Sequence, residues 1–341
     1  VRPIHNPPNP FESIDREWLD EPPEVHVQVF EERAQAILSE NSSPDLGFRW
    51  SINPYRGCFH ACAYCYARPT HEYLGFGAGT DFESRLVVKV NAAELLRRSF
   101  AKPSWTGELI VFSGNTDCYQ PLEATWRLTR ACLEVCAEFH NPVGVITKSV
   151  LVQRDADVLA RLHQRTGAQV FFSIPFADDA TARAIEPQAP VVSRRFEAMR
   201  RLSEAGIATG VSIAPIIPGL NDDDLPAILE RAHAAGARRA SYVLLRLPGN
   251  VRPVFLERLR AALPERARKV ENRLREVRGG VLHNSEYFER QHGRGIYWEM
   301  IERQWQIHTR RLGFDVARAG DGPCAPSPFR RPGAAVQGEL F

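Results

Sequence analysis

The sequence has no apolar run approaching the ~20 residues that a membrane-spanning helix needs, so no membrane partner is expected. It also lacks a strong charge of either sign. Forty-three Lys and Arg against 41 Asp and Glu leave a formal net charge of +2, too mild by itself to imply a nucleic-acid or acidic partner. The first residues, VRPIHNPPNPFESIDREWLDEPPE, are Pro-rich and acidic and lack the basic start and apolar stretch of a signal peptide. A cytoplasmic location is therefore expected. A disulfide framework is missing too. The seven cysteines (58, 62, 65, 118, 132, 136 and 324) are odd in number, with three in one loop. In a reducing compartment, clustered cysteines more often bind metal than pair with each other.

What is present is ordinary globular composition, 44% hydrophobic and 25% charged, over 341 residues. That length allows one large domain or two medium ones and a sizeable core. Residues 1–46 read as an N-terminal extension, with a strand or short helix around VHVQVFEERAQAIL. From Phe48 onward short β-branched or aromatic runs alternate with charged helical stretches, the pattern of successive βα units on a parallel sheet. The expected strands are FRWSIN (48–53), LIVFSG (109–114), PVGVITKS (142–149), QVFFSIP (169–175), ATGVSIAP (208–215) and ASYVLLRL (240–247). The helical stretches between them include LEATWRLTRACLEVCAEF and VVSRRFEAMRRLSEAG, several closing on Gly as helix C-termini often do.

Six units are too few for an eight-stranded barrel, so a partial (β/α)6 TIM-type barrel over 47–250 is expected. Arg-rich helices over 251–314 follow as a cap or appendix on its open side, and 315–341 reads as a loose tail. In such a barrel the loops after the strands carry the chemistry. The cysteine loop follows strand one, and the polar endings SGNTD, TKS, SIP and SIAP follow strands two to five, so these segments converge on one mouth.

The stretch YRGCFHACAYCYARPTHEYLG (55–75) places Cys58, Cys62 and Cys65 at C-x3-C-x2-C with no fourth cysteine nearby. A structural zinc site wants four ligands, which here would need His60, His71 or a distant residue. His60 is poorly placed between two ligands in a tight loop. A cubane iron–sulfur cluster bound by three cysteines leaves one iron open to a substrate or cosubstrate, by the logic that separates open catalytic sites from closed structural ones.

The spacing, with Tyr64 just before the last cysteine, resembles the signature of the radical S-adenosylmethionine (radical SAM) superfamily. The wider stretch NPYRGCFHACAYCYARPTHEYLG resembles the subgroup related to spore photoproduct lyase, also described as DNA-repair-photolyase-like. The resemblance covers roughly residues 48 to 248 and implies a [4Fe–4S] cluster on Cys58, Cys62 and Cys65 with SAM at its open iron. It implies SAM contacts from Tyr64, near the adenine, and from Ser113, Gly114 and Asn115, which receive the methionine amino group. Lys148 and Ser173 fall near the carboxylate and ribose. Glu186 with Arg194 or, preferably, Arg195 helps position SAM, and Ile213 and Ala214 border the adenine. An electron donor such as flavodoxin or ferredoxin is implied as partner, and a DNA or nucleotide-like substrate follows from the subgroup alone.

The sequence also departs from that subgroup. Spore photoproduct lyase uses a cysteine near the end of strand two as hydrogen donor, and LIVFSGN contains none. Cys118 follows a few residues later and reads either as such a donor or as a small buried residue. Repair of a spore-type photoproduct is therefore not expected. Cys132 and Cys136, four apart on one helix face, read as core, and Cys324 has no assigned role. His71 and Glu72 read as second-layer partners of the cluster or as hydrogen bonds within the loop. The C-terminal arginines are interleaved with glutamates, as on a solvated helix face. The rival reading is a non-catalytic, zinc-stabilised nucleic-acid-binding protein.

Overall fold

The computed structural model describes residues 26–316 and 326–332. Ten strands occur among them: β1 (Gln28–Glu32), β2 (Leu38–Glu40), β3 (Trp50–Ile52), β4 (Tyr55–Arg56), β5 (Arg85–Lys89), β6 (Ile110–Phe112), β7 (Val143–Thr147), β8 (Gln169–Ser173), β9 (Ala208–Ile216) and β10 (Arg239–Leu244). The six expected strands are β3 and β6–β10. They pair in parallel in the order β10-β9-β8-β7-β6-β3, with β2 antiparallel on the outer edge of β3. The edges β2 and β10 do not pair with each other, so the sheet is an open, partial barrel. A second sheet, ordered β1-β5-β4, stands beside it.

The helices cover the sheet because their sequences carry one apolar face. Val192–Glu204 is representative: Val192, Arg195, Phe196, Ala198, Met199 and Leu202 are buried while Arg194, Arg200 and Arg201 face water. The single helix expected after strand two is two, Glu123–Trp126 and Leu128–Glu138, separated by Arg127 in a left-handed conformation at φ 51°. Glu123 supports the break. Its carboxylate accepts the backbone N–H groups of Thr129 at 2.9 Å and Arg130 at 3.2 Å, which the second helix leaves unpaired.

The C-terminal helices Val251–Ala262, Pro264–Val277 and Ile296–Leu312 share the main core through Phe255, Val270, Leu274, Trp298 and Trp305. Within the tail, residues 326–332 are docked on the rest of the chain. Phe329 packs on Phe100 and Phe139, and Arg331 donates to the carbonyls of Phe100, Lys102 and Trp105. Cys324 lies outside the described residues. No helix among the described residues is long and apolar enough to cross a membrane.

A buried charge group ties the first loop to the C-terminal helices. Arg68, fully buried, donates to the carbonyls of Cys62 (3.0 and 3.1 Å), Ala78 (2.9 Å) and Gly79 (2.8 Å) and lies 3.4 Å from Glu83. Arg258, from helix Val251–Ala262, pairs with the other oxygen of Glu83 and donates to Ala61 O. Burial pushes the Glu83 carboxyl above its ordinary range, and the two guanidinium groups offset this only in part. The cluster of charges thus adds position more than stability, yet removing its one anion would strand two buried cations. Glu83→Gln should lower the unfolding free energy by about 3–5 kcal/mol, read as a fall in the urea midpoint at unchanged m-value. A loss under about 1 kcal/mol would mean that the carbonyls alone satisfy both arginines.

Candidate functional site: a three-cysteine cavity at the strand ends

The loop carrying the cysteines has almost no regular structure of its own, so its backbone groups are satisfied piecemeal. Gly57 enters it at φ 71°, where an added Cβ would meet Phe82 O at 2.8 Å. Cys58 N–H then donates to Phe82 O at 2.9 Å, and the Gln120 side chain brackets Gly57 O and Phe59 N at 3.0 Å each. Turns close from Ala61 N to Cys58 O, from Cys65 N to Cys62 O and from Arg68 N to Cys65 O. Ala63 N–H reaches Ile185 O at 2.9 Å. The outcome is that Cys58, Cys62 and Cys65 line one cavity of about 300 Å³ at the C-terminal ends of the strands.

Among the described residues, no three Cys, His, Asp or Glu side chains are gathered closely enough to hold a single ion. A structural zinc draws all its sulfurs to about 2.3 Å from one centre. Cysteines of a cubane each take a different iron, so their sulfurs stand further apart. Three thiols facing one cavity, with no fourth cysteine lining it among the described residues, are the donor set that a cubane cluster with one open iron would take. Burial pushes the Cys62 thiol up to about 12 and those of Cys58 and Cys65 in the same direction, with Asp117 adding to the rise at Cys58. Ligation would therefore release protons from these thiols.

The same cavity is lined by Tyr64, Ser113, Gly114, Asn115, Lys148, Ser173 and Ala214, seven of the expected SAM contacts. The turn after β6 owes its shape to Ser113, left-handed at φ 70°, and to Gly114, where a Cβ would lie 2.5 Å from that of Ser51. Part of its hydrogen bonding is already engaged. Ser113 Oγ accepts Cys118 N–H at 2.8 Å, Asn115 N–H donates to Asn53 Oδ1 at 2.9 Å, and the Asn115 amide donates to Thr70 at 3.3 Å. Lys148 Nζ, at the end of β7, donates to Ser173 Oγ at 3.0 Å, and Ser173 Oγ donates to Ala214 O at 3.3 Å.

Glu186 and Arg195 do not line the cavity; they stand behind it. Arg195 Nη2 meets Glu186 at 2.5 Å, while its Nη1 donates to Ser173 O at 3.0 Å and its Nε to Pro190 O at 2.7 Å. Tyr64 donates its hydroxyl to the same carboxylate, and Lys148 Nζ lies 3.9 Å from it and 5.6 Å from the Tyr64 ring centre. Burial opposes ionisation of Glu186, but Arg195 and Lys148 outweigh it and hold the carboxyl below its ordinary range. Glu186 is thereby the joint that orients two cavity-lining side chains.

The structure sets Cys118 apart. It is buried in the main core and absent from the cavity wall, and burial pushes its thiol well up. Of the two expectations for this position, a hydrogen donor or a small buried residue, its place is that of a core residue whose backbone is held by Ser113 and Thr129. Cys132 and Cys136 are core as expected. His71 packs on Phe82 with Nε2 2.8 Å from Arg85 O, and Glu72 accepts from Asn250, so neither faces the cavity.

Several lining residues escaped the sequence reading. Asp117, the last letter of SGNTD, accepts from Thr147 Oγ1 (2.7 Å), Lys148 N (2.8 Å) and Tyr119 N (2.9 Å) and lies 3.4 Å from His60 Nδ1. Burial opposes its charge, but His60 and these bonds hold the carboxyl down at about 2. Tyr66, next to Cys65, donates its hydroxyl to Gly114 O at 2.7 Å. Arg246 and Gln291 complete the wall beyond β10. Position offered a signal for Asp117 and Tyr66, each inside or beside a motif already singled out. None existed for Gln291, which arrives from a distant loop.

Comparisons with known proteins agree with this geometry. The family model described as the Radical SAM superfamily matches residues 52–232. An uncharacterized protein of Mycobacterium tuberculosis H37Rv is 37% identical over 222 residues, 64% of this chain and 65%, just under two thirds, of the relative's own length. A protein of Pseudomonas phage M6 named Radical SAM Nalpha-GlyT isomerase is 26% identical over 232 residues, 67% of this chain and 46% of that one. Spore photoproduct lyase complexed with dinucleoside spore photoproduct shares the fold at a TM-score of 0.62 and 14% identity, over 84% of this chain and 81% of that one. With half of its length or more matched by the family model, the chain belongs to the radical SAM superfamily.

Proposed function

We propose that this protein is a radical SAM enzyme that holds a [4Fe–4S] cluster through Cys58, Cys62 and Cys65. The observation that carries the reading is that these three sulfurs open on one cavity that no further cysteine lines among the described residues. The cluster, when bound, supplies the electron that cleaves SAM reductively to methionine and a 5′-deoxyadenosyl radical, which abstracts hydrogen from the substrate. The chain's own residues bind, orient and exclude water. Lys148 and Ser173 offer a cation and a hydroxyl to a carboxylate or ribose, and the turn Ser113–Gly114–Asn115 offers oxygens to an ammonium. Tyr64 and Ala214 border the adenine, and Glu186 with Arg195 keeps Tyr64 and Lys148 in place.

The electron would come from a donor such as flavodoxin or ferredoxin in the reducing cytoplasm. A DNA or nucleotide-like substrate is supported by the fold shared with spore photoproduct lyase, which was solved with a dinucleoside photoproduct. The zinc-binding alternative draws no support from the donor arrangement.

Anaerobic reconstitution should load about four irons and four sulfides per chain, and addition of dithionite and SAM should release 5′-deoxyadenosine and methionine. Cys62→Ala should lose both cluster and cleavage. A folded, cluster-loaded protein that makes no 5′-deoxyadenosine would overturn the proposal, and one zinc without iron would favour the binding module.

Glu186→Gln should weaken SAM binding to the cluster-loaded protein about tenfold to a hundredfold, the effect of losing a charge-assisted hydrogen bond, with iron content unchanged. Unaltered affinity in equilibrium binding would remove Glu186 from the positioning role.

A further inference from the structure

The cavity has one corner whose charges the SAM reading does not use. Arg246, just beyond β10, lines the wall with its Nε buried, and its guanidinium makes no hydrogen bond or ion pair with any described residue. Two further guanidinium groups share the corner. Arg278 is buried, gives Nη2 to Leu245 O (2.8 Å) and Arg290 O (3.0 Å), and also leaves its Nε unpartnered. Arg290 is committed to Asp45, which it grips through Nε at 2.7 Å and through Nη2. The one carboxylate of the corner is thus already claimed, and positive charge is left over. The surplus is visible in its neighbours. Burial and then Arg246 lower Arg278 to about 10, and burial followed by Arg278 and Arg246 lowers His283 to about 4.

Arg246 is half-buried, and a guanidinium fork that reaches the cavity without a protein partner matches an oxyanion bidentately. The walls around it, Leu46, Phe48, Val243 and Leu245, are apolar. The expected SAM contacts sit at the ends of β6–β9 and in the cysteine loop, leaving this corner at the β10 edge for a second molecule.

We propose that Arg246 recognises the substrate by an oxyanion, a carboxylate or phosphate ester carried on an apolar or flat ring body. This rests on the radical SAM reading of the cavity. The anion docks against the fork while its body fills the apolar corner, turning the rest of the molecule toward the cluster side.

The test uses cluster-loaded protein with SAM, and benzoate and phenyl phosphate as probes, with benzyl alcohol as the neutral control. Wild type should bind at least one anion, seen as a concentration-dependent rise in melting temperature, and should ignore the alcohol. The stronger anion identifies the acid group. Arg246→Met should lose tenfold or more in anion affinity while melting at or above wild type, because a half-buried cation that makes no hydrogen bond or ion pair with the described residues becomes a thioether chain of similar length. Arg246→Lys should fall between the two. The proposal is overturned if neither anion binds wild type, if Arg246→Met binds anion equally well, or if that variant melts lower. It is also overturned if its SAM affinity falls tenfold, since Arg246 would then serve SAM. Anion binding is read without SAM cleavage, so iron loading and 5′-deoxyadenosine report separately on the underlying enzyme assignment.

Discussion

Everything at the mouth of the barrel depends on a loop being held open in a shape it cannot hold by itself. Between Gly57 and Arg68 there is neither sheet nor long helix to pair the backbone, and Ala61 sits left-handed at φ 58°. Arg68 and Arg258 supply what secondary structure does not. Their guanidinium groups gather the carbonyls of Ala61 and Cys62 and balance on Glu83. Because Arg258 comes from helix Val251–Ala262, the C-terminal region is part of the device that sets the cysteines. A loop fixed from outside can present three sulfurs inward without spending its own backbone on them.

A second electrostatic joint, Glu186, works from behind the cavity. It sits just past helix Asp179–Ile185, collects Tyr64, Arg195 and Lys148, and so couples the cysteine loop to the ends of β7 and β8. The backbone contact between Ala63 N and Ile185 O ties the residue after Cys62, whose carbonyl the first joint grips, to the residue before Glu186. A change on either side is felt by the same few cavity-lining groups, which is how residues outside the cavity govern it.

Much of this was legible in the sequence, for identifiable reasons. The six barrel strands are short β-branched runs bounded by turn residues, and the cysteine spacing fixes the loop. Arg195 was separable from its three neighbours only by burial, since all four share one helix and three face water. β5 was missed because RLVVK lies close to the cysteine loop and only the one-turn helix Asp81–Ser84, too short to show a helical period, precedes it. The docked tail was missed because composition argues for looseness while Phe329 and Arg331 find specific partners on helix Ala92–Ala101 and the turn after it. The helix break at Arg127 depends on Glu123, whose role as a capping carboxylate shows only once the chain has turned. Gln291 and Arg246 belong to the cavity through tertiary contact alone, which no local pattern encodes.

The cavity that results is electrically polarised. On the cysteine side stand three sulfurs and Asp117, a carboxylate kept ionised by His60 and a ring of hydrogen bonds even though it raises the neighbouring Cys58 thiol. On the β10 side stand Arg246, Arg278 and Arg290 against Asp45. The cysteine wall is mixed, since Lys148 offsets Asp117 beside thiols that burial keeps neutral, whereas the β10 wall holds a surplus of positive charge that draws an anionic group. Under the proposed function, the surplus at the β10 side would turn the anionic end of a substrate away from the cysteine loop, and orientation of that kind is what a radical reaction needs if hydrogen is to leave one chosen carbon.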